Sequence, residues 1–146
     1  MQNHKDSVLP IPQGKYVPAN RYGQLIFSAG MTPRINGVLQ FSGKVLKSAP
    51  LSDYKKAVEI AAANALIAVK SLLQPQEQIV KVLTLTVYIN AEDGYTEHSK
   101  IADFASDLLC AQLGEAGIVS RTAIGVASLP GNAPVEVQLI VAAAGK

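Results

Sequence analysis

The chain has 146 residues, of which 49% are hydrophobic and 16% charged, with a net charge of +2. That length sets one domain, residues 1–146, as the expectation, and that apolar content excludes disorder as the main state. The near-balanced charge, the 5% aromatic content and the absence of a Lys/Arg cluster exclude the basic footprint and stacking platform of a nucleic-acid binder. A single cysteine, Cys110, cannot close an internal disulfide and fits a reducing compartment, so a cytoplasmic location is expected. The opening MQNHKDSVLPIPQGK lacks the apolar run of a signal peptide, and no stretch approaches a membrane span. His4 and His98 lie far apart and, with one cysteine, offer no metal-ligand spacing, so no metal is expected.

In chain order, residues 1–18 are polar and carry Pro10, Pro12 and Pro18, so an irregular stretch is expected, its first 14 residues an N-terminal arm. Gln24–Gly30 (QLIFSAG) is a short apolar run closed by glycine and reads as a buried strand. Asn36-Gly37 then signals a hairpin within Asn36–Val45, because both residues tolerate positive φ. Leu51–Leu73 reads as a helix. Ser52 is its expected N-cap, Val58, Ala61, Ala62, Ala65, Val69 and Leu72 form its buried stripe, and Pro75 follows its end.

Gln78–Asn90 is dense in β-branched residues and apolar on both faces, as a central strand is. Strict alternation groups Leu83, Leu85, Val87 and Ile89 on one face and Val80, Val82, Thr84, Thr86 and Tyr88 on the other. Asp93–Gly117 holds a second helix with Thr96 as N-cap, a stripe of Ile101, Ala105, Leu108 and Leu109, and Gly114 or Gly117 as the C-terminal cap. Two further strands, Thr122–Ser128 and Pro134–Ala143, read as a hairpin-like pair that makes Arg121 and Glu136 neighbours across strands. Two helices cover only one face of the resulting sheet. The last three strands are apolar on both faces, so the uncovered face implies an oligomer.

Four stretches carry a family resemblance: KYVPA (Lys15–Ala19), LIFSAGMTP (Leu25–Pro33), VKVLTLTVYI (Val80–Ile89) and above all SRTAIGVASLPGNAPVEV (Ser120–Val137). The last has an Arg, a strand, Leu-Pro, four residues and then Val-Glu-Val. The chain resembles the RidA family (YjgF/YER057c/UK114, older name endoribonuclease L-PSP), as a divergent subgroup. The resemblance implies an α+β, chorismate-mutase-like fold: a mixed six-stranded sheet with two helices packed on one face. It also implies a homotrimer with clefts between subunits, and hydrolysis of reactive enamine/imine intermediates of the 2-aminoacrylate type to 2-keto acids and ammonia, without a cofactor.

Residue by residue, the resemblance puts the carboxylate-gripping arginine at Arg121, where a planar guanidinium matches a carboxylate with two parallel hydrogen bonds. It puts the water-orienting acid at Glu136, since a partly desolvated carboxylate is a better base near neutrality. Tyr16 would line the pocket, Gly30 would let the backbone approach the ligand, and the Ala123 carbonyl would accept from the imine nitrogen. Read by position alone, each has a plainer role. Arg121 is an edge arginine paired with a surface acid, Glu136 a solvated strand acid, Tyr16 a packed aromatic and Gly30 a turn. The family's Ser-Gly-Gln appears as Ala29-Gly30-Met31 and its usual Cys as Ala123; its helical Asn has no clear match, with Ser106 one candidate. These departures leave the substrate open and make a non-catalytic binder or sensor of small carboxylates the alternative. An endoribonuclease is a third reading, for which the sequence lacks a His/Lys pair or a basic groove. A chorismate mutase reading would follow from fold likeness only.

Overall fold

The computed structural model describes residues 8–146. His4 and the first half of the predicted arm lie outside them, and residues 8–18 run without helix or strand until the chain enters β1. The strands are β1 (Ala19–Tyr22), β2 (Leu25–Ser28), β3 (Arg34–Ile35), β4 (Val38–Leu39), β5 (Glu77–Asn90), β6 (Ser120–Val126) and β7 (Val135–Gly145). The helices are α1 (Lys55–Lys70) and α2 (His98–Leu113).

The predicted six strands become a five-stranded sheet, ordered β1-β2-β7-β5-β6, with β3 and β4 in a separate two-stranded ribbon. The unpredicted strand is β1. It lies in ANRY, which has no apolar alternation to announce it, and is held by antiparallel pairing with β2. The Asn36-Gly37 turn forms as expected, with φ of 52° and 80°, but the strand after it stops at Leu39 instead of reaching Val45. Val45 instead bridges Ala91 beyond the end of β5.

Both helices pack on one face of the sheet. The stripe of α1 is largely alanine (Ala57, Ala61, Ala62, Ala65 and Ala68 are buried), which favours the helix and leaves little bulk between it and the sheet. Ile101, Ala105 and Leu109 of α2 are buried as expected, and Gly114 at φ 59° ends that helix. Neither predicted N-cap forms. Ser52 lies inside a 3-10 turn (Leu51–Tyr54) that leads into α1, and α2 starts after Glu97 rather than Thr96; no side chain caps either helix.

β5 corrects the strict alternation. Its register against β7 shifts between Ile79 and Lys81 and again between Val82 and Thr84. Each irregularity changes the phase of the pleat, so Val82 joins Leu85, Val87 and Ile89 in the core while Leu83 is only half-buried.

The far end of β5 is fixed by Asn90, which is fully buried. Its Oδ1 accepts from Lys44 Nζ at 2.9 Å, and its Nδ2 donates to Asn132 Oδ1 at 3.1 Å and to the Ala133 carbonyl at 3.0 Å. Its backbone N–H donates to the Pro134 carbonyl, and its own carbonyl accepts from Val45 N. Lys44 Nζ also donates to the Ala127 carbonyl just past β6. At the opposite end, Arg21 on β1 grips Glu77 at the start of β5 with two parallel hydrogen bonds of 2.6 and 2.7 Å, and donates to the carbonyls of Leu72 and Gly23. These bonds, with one from Gln74 N, hold the Glu77 carboxyl down at about 2.

Two outcomes follow for stability. Asn90→Ala leaves the Ala133 carbonyl and Asn132 Oδ1 without their donor, and should cost about 2–3 kcal/mol in chemical denaturation; a change within error would show that water replaces the side chain. Because the folded Glu77 carboxyl lies below its ordinary value, its contribution is complete above about pH 4.5 and is lost as pH falls toward 2. Glu77→Gln should therefore be less stable than wild type at pH 7, with the gap closing across that acid window in thermal melts.

Candidate functional site

Alternation along β7 sends Val135, Val137, Leu139 and Val141 into the core and Glu136, Gln138 and Ile140 to the face without helices. That open face is apolar for a surface. Leu25 and Phe27 on β2 and Ile124 on β6 are each about 40% exposed there. Glu136 sits half-buried in this setting and pairs in register with Tyr88, whose hydroxyl donates to Gln138 Oε1 at 3.0 Å. Burial alone pushes the Glu136 carboxyl above its ordinary value. Among the described residues its carboxylate receives no hydrogen bond that would offset the lost water.

Gly30 explains how the acid is seated. The chain beyond β2 rejoins β7 through the Met31–Val137 bridge, which brings Gly30 against the Glu136 side chain. A Cβ at Gly30 would lie 2.5 Å from Glu136 Oε2, so any larger residue displaces the carboxylate. Gly30 and Tyr16 also line a cavity of about 420 Å³ between the N-terminal segment, the β3–β4 ribbon and α1, with Ile11, Arg34, Lys56 and Ile60 among its walls. Tyr16 is half-exposed there, and its hydroxyl accepts from Gln13 N at 3.0 Å.

Arg121 lies elsewhere. β6 pairs in parallel with β5, and β5 separates it from β7, so the expected hairpin-like pair does not form. Two strands joined by a short turn would be antiparallel neighbours. Here the central position beside β7 is taken by β5, whose long antiparallel pairing with β7 runs nearly its whole length. Arg121 stands opposite Leu85, a core residue, and its side chain points to the helix face.

There α2 receives the guanidinium. Nη1 donates to Asp103 Oδ1 at 2.7 Å and to Ser106 Oγ at 2.9 Å; Nη2 donates to Ser99 Oγ at 2.7 Å and to the Ser99 carbonyl at 3.1 Å. Ala123, two residues on, stands opposite Val87 and packs on the core edge. The candidates thus separate: Gly30 touches Glu136 and shares a cavity with Tyr16, while Arg121 and Ala123 lie on the helix side of β6. Strand spacing puts the Cα atoms of Arg121 and Glu136 roughly 14 Å apart, with their side chains on opposite faces.

The sequence reading missed Ser99 and Asp103. Ser106 does reach Arg121, one of the three polar residues spaced i, i+4, i+7 along α2; that spacing was the available signal. A shallower cleft near the ends of β5 and β6 holds Lys44, Asp93 and His98, with His98 edge-on to Tyr95 at 5.5 Å. Among the described residues no group of three or more His, Cys, Asp or Glu could hold a metal ion, and no helix is long and apolar enough to cross a membrane.

Comparison with known proteins identifies the family. A sequence model of the family described as YjgF/chorismate mutase-like, with endoribonuclease as its attached label, matches residues 8–143. Protein TCP17 of Trypanosoma cruzi is 30% identical over 132 residues, covering 85% of this chain and 82% of that protein. The structure of Atu1372 from Agrobacterium tumefaciens, a protein of unknown function, is 32% identical at a TM-score of 0.81, covering 92% of this chain and 84% of that one. The YjgF gene product of E. coli shares the fold at a TM-score of 0.67, with 17% identity over 93% of this chain and 94% of that one. With the family pattern spanning both groups of candidate residues and nearly all of the described fold, the chain belongs to the YjgF/chorismate mutase-like family.

Proposed function

We propose that the chain hydrolyses small enamine/imine carboxylates of the 2-aminoacrylate type to 2-keto acids and ammonia, in clefts between copies of a homotrimer. The observation that carries this reading is Glu136: a half-buried carboxylate with a raised pKa, no donor among the described residues, and an apolar surface around it. An acid held this way takes a proton from water more readily than a solvated one near neutral pH. The water oxygen adds to the carbon of the C=N bond, and the nitrogen gains a proton. For an enamine, a proton shift from nitrogen to the methylene carbon first gives that imine; as the carbinolamine's C–N bond breaks, its hydroxyl proton passes to the nitrogen, leaving the keto acid and ammonia. Arg121 anchors the substrate carboxylate, the Ala123 carbonyl accepts from the imine N–H, and Tyr16 and Gly30 shape the wall beside Glu136.

Arg121 and Glu136 of one chain lie on opposite faces, so a joint site draws its two groups from two copies. Two features support that assembly: the apolar open face, and the position of β6 at the sheet edge, where its outer backbone groups have no strand partner. A second reading, a non-catalytic carboxylate binder, is favoured by one observation: Ala29 and Met31, on either side of Gly30, bring neither hydroxyl nor amide to the wall beside Glu136.

With 2-aminoacrylate generated in situ by a PLP-dependent dehydratase, the protein should accelerate pyruvate release. Arg121→Ala and Glu136→Gln should each lower kcat/KM by about 100-fold or more. Pyruvate binding without acceleration would select the binder instead. Analytical ultracentrifugation should give a trimer; a stable monomer removes the shared site. The raised carboxyl also has a sign for stability. Glu136 favours the fold while protonated and opposes it as pH climbs from about 4.5 through its folded value, so Glu136→Gln should melt higher than wild type, by on the order of a few °C, at pH 7 and not at pH 4.

A further inference from the structure

Every terminal N–H of Arg121 has an acceptor inside the chain: Asp103 and Ser106 on Nη1, and the hydroxyl and carbonyl of Ser99 on Nη2. A carboxylate can take a guanidinium end-on, through one N–H from each terminal nitrogen, or side-on, through Nε and one terminal nitrogen. Both modes need at least one N–H already in use, so an incoming anion must displace an internal acceptor.

The four acceptors are not equally displaceable. The Ser99 carbonyl is helix backbone and cannot move alone. The hydroxyls of Ser99 and Ser106 are uncharged, and each can rotate while staying on the same helical face. Asp103 alone carries a negative charge, and its side chain is 59% exposed while that of Arg121 is 19% exposed. It can swing into water at little cost, whereas the arginine stays fixed by the serines. Asp103 also offers the same chemical group that a carboxylate ligand would bring.

We propose that Asp103 is a resident carboxylate in the anion seat of Arg121, a specificity-determining residue that competes with the ligand's own carboxylate and weakens the binding of small monoanions. This rests on the reading of Arg121 as the ligand anchor. If Asp103 stays near, its charge repels the ligand's; if it leaves, its hydrogen bond to Nη1 is lost. Either way the site discriminates against ligands that cannot make up the difference with further contacts. Simple keto acids therefore bind weakly, and substrates with more to hold bind in preference.

The test uses the full-length protein and its Asp103→Asn variant, which keeps side-chain shape and a neutral acceptor. Calorimetric titration with pyruvate should show about three- to tenfold tighter binding in the variant, the range expected for removing one partly exposed charge beside another. Methyl pyruvate, which lacks the anion, should bind both proteins alike. A merely structural contact would shift both ligands together, or only the melting temperature. Phenylglyoxal labelling of Arg121, followed by peptide mass, should be faster in the variant. Equal or weaker pyruvate binding in a variant that binds pyruvate overturns the competition, and unchanged labelling overturns the cover over Arg121. Faster labelling with no pyruvate binding in either protein would keep that cover and instead sink the reading of Arg121 as ligand anchor.

Discussion

The site end of this fold hangs on one buried amide. Asn90 closes β5, and its side chain bonds outward in both directions across the sheet: through Lys44 to the Ala127 carbonyl past β6, and directly to the Asn132–Ala133 turn that feeds β7. A buried asparagine with no partners would be strongly destabilising; one with all its groups satisfied fixes geometry instead. Glu136 follows that turn by three residues, so the face it presents depends on where Asn90 holds Ala133. The parity of β7 also governs which residues enter the core, and the two demands agree.

Three charged arrangements around this fixed end contrast with one another. Arg21 and Glu77 neutralise each other in a paired fork at the opposite end of β5, where they tie the β1–β2 edge to the loop after α1. Arg121 is held on the helix side by α2, with one carboxylate and two hydroxyls. Glu136 has no such compensation and is kept half-buried by Gly30 and the neighbouring strands. A half-buried carboxylate left uncompensated is the kind of group that functional sites use.

The sheet order also explains why Arg121 and Glu136 are kept apart. A parallel β5–α2–β6 unit directs Arg121 toward the helix that connects the strands, while antiparallel β7 directs Glu136 away from the helices. No rotamer brings the two together within one chain. In the proposed assembly a neighbouring copy has to meet the edge near β6 and the open face near β7 at once, which is the demand a closed ring satisfies.

Local chemistry made much of this legible in sequence. Helical spacing identified the stripes of α1 and α2; Asn36-Gly37 announced its turn through tolerance of positive φ; and the Arg–Leu-Pro–Val-Glu-Val run marked Arg121 and Glu136 as positions of interest. Three things were decided by tertiary structure. Bulges reset the phase of β5, because pairing with β7 overrides strict alternation at Val82. β1 formed from an unremarkable ANRY because β2 offered an open edge. β5 inserted between β6 and β7, since strand neighbours are chosen by the burial of whole faces and not by proximity along the chain. The sequence by itself determined which side chains were available, and the three-dimensional pairing decided that Arg121 meets Asp103 rather than Glu136.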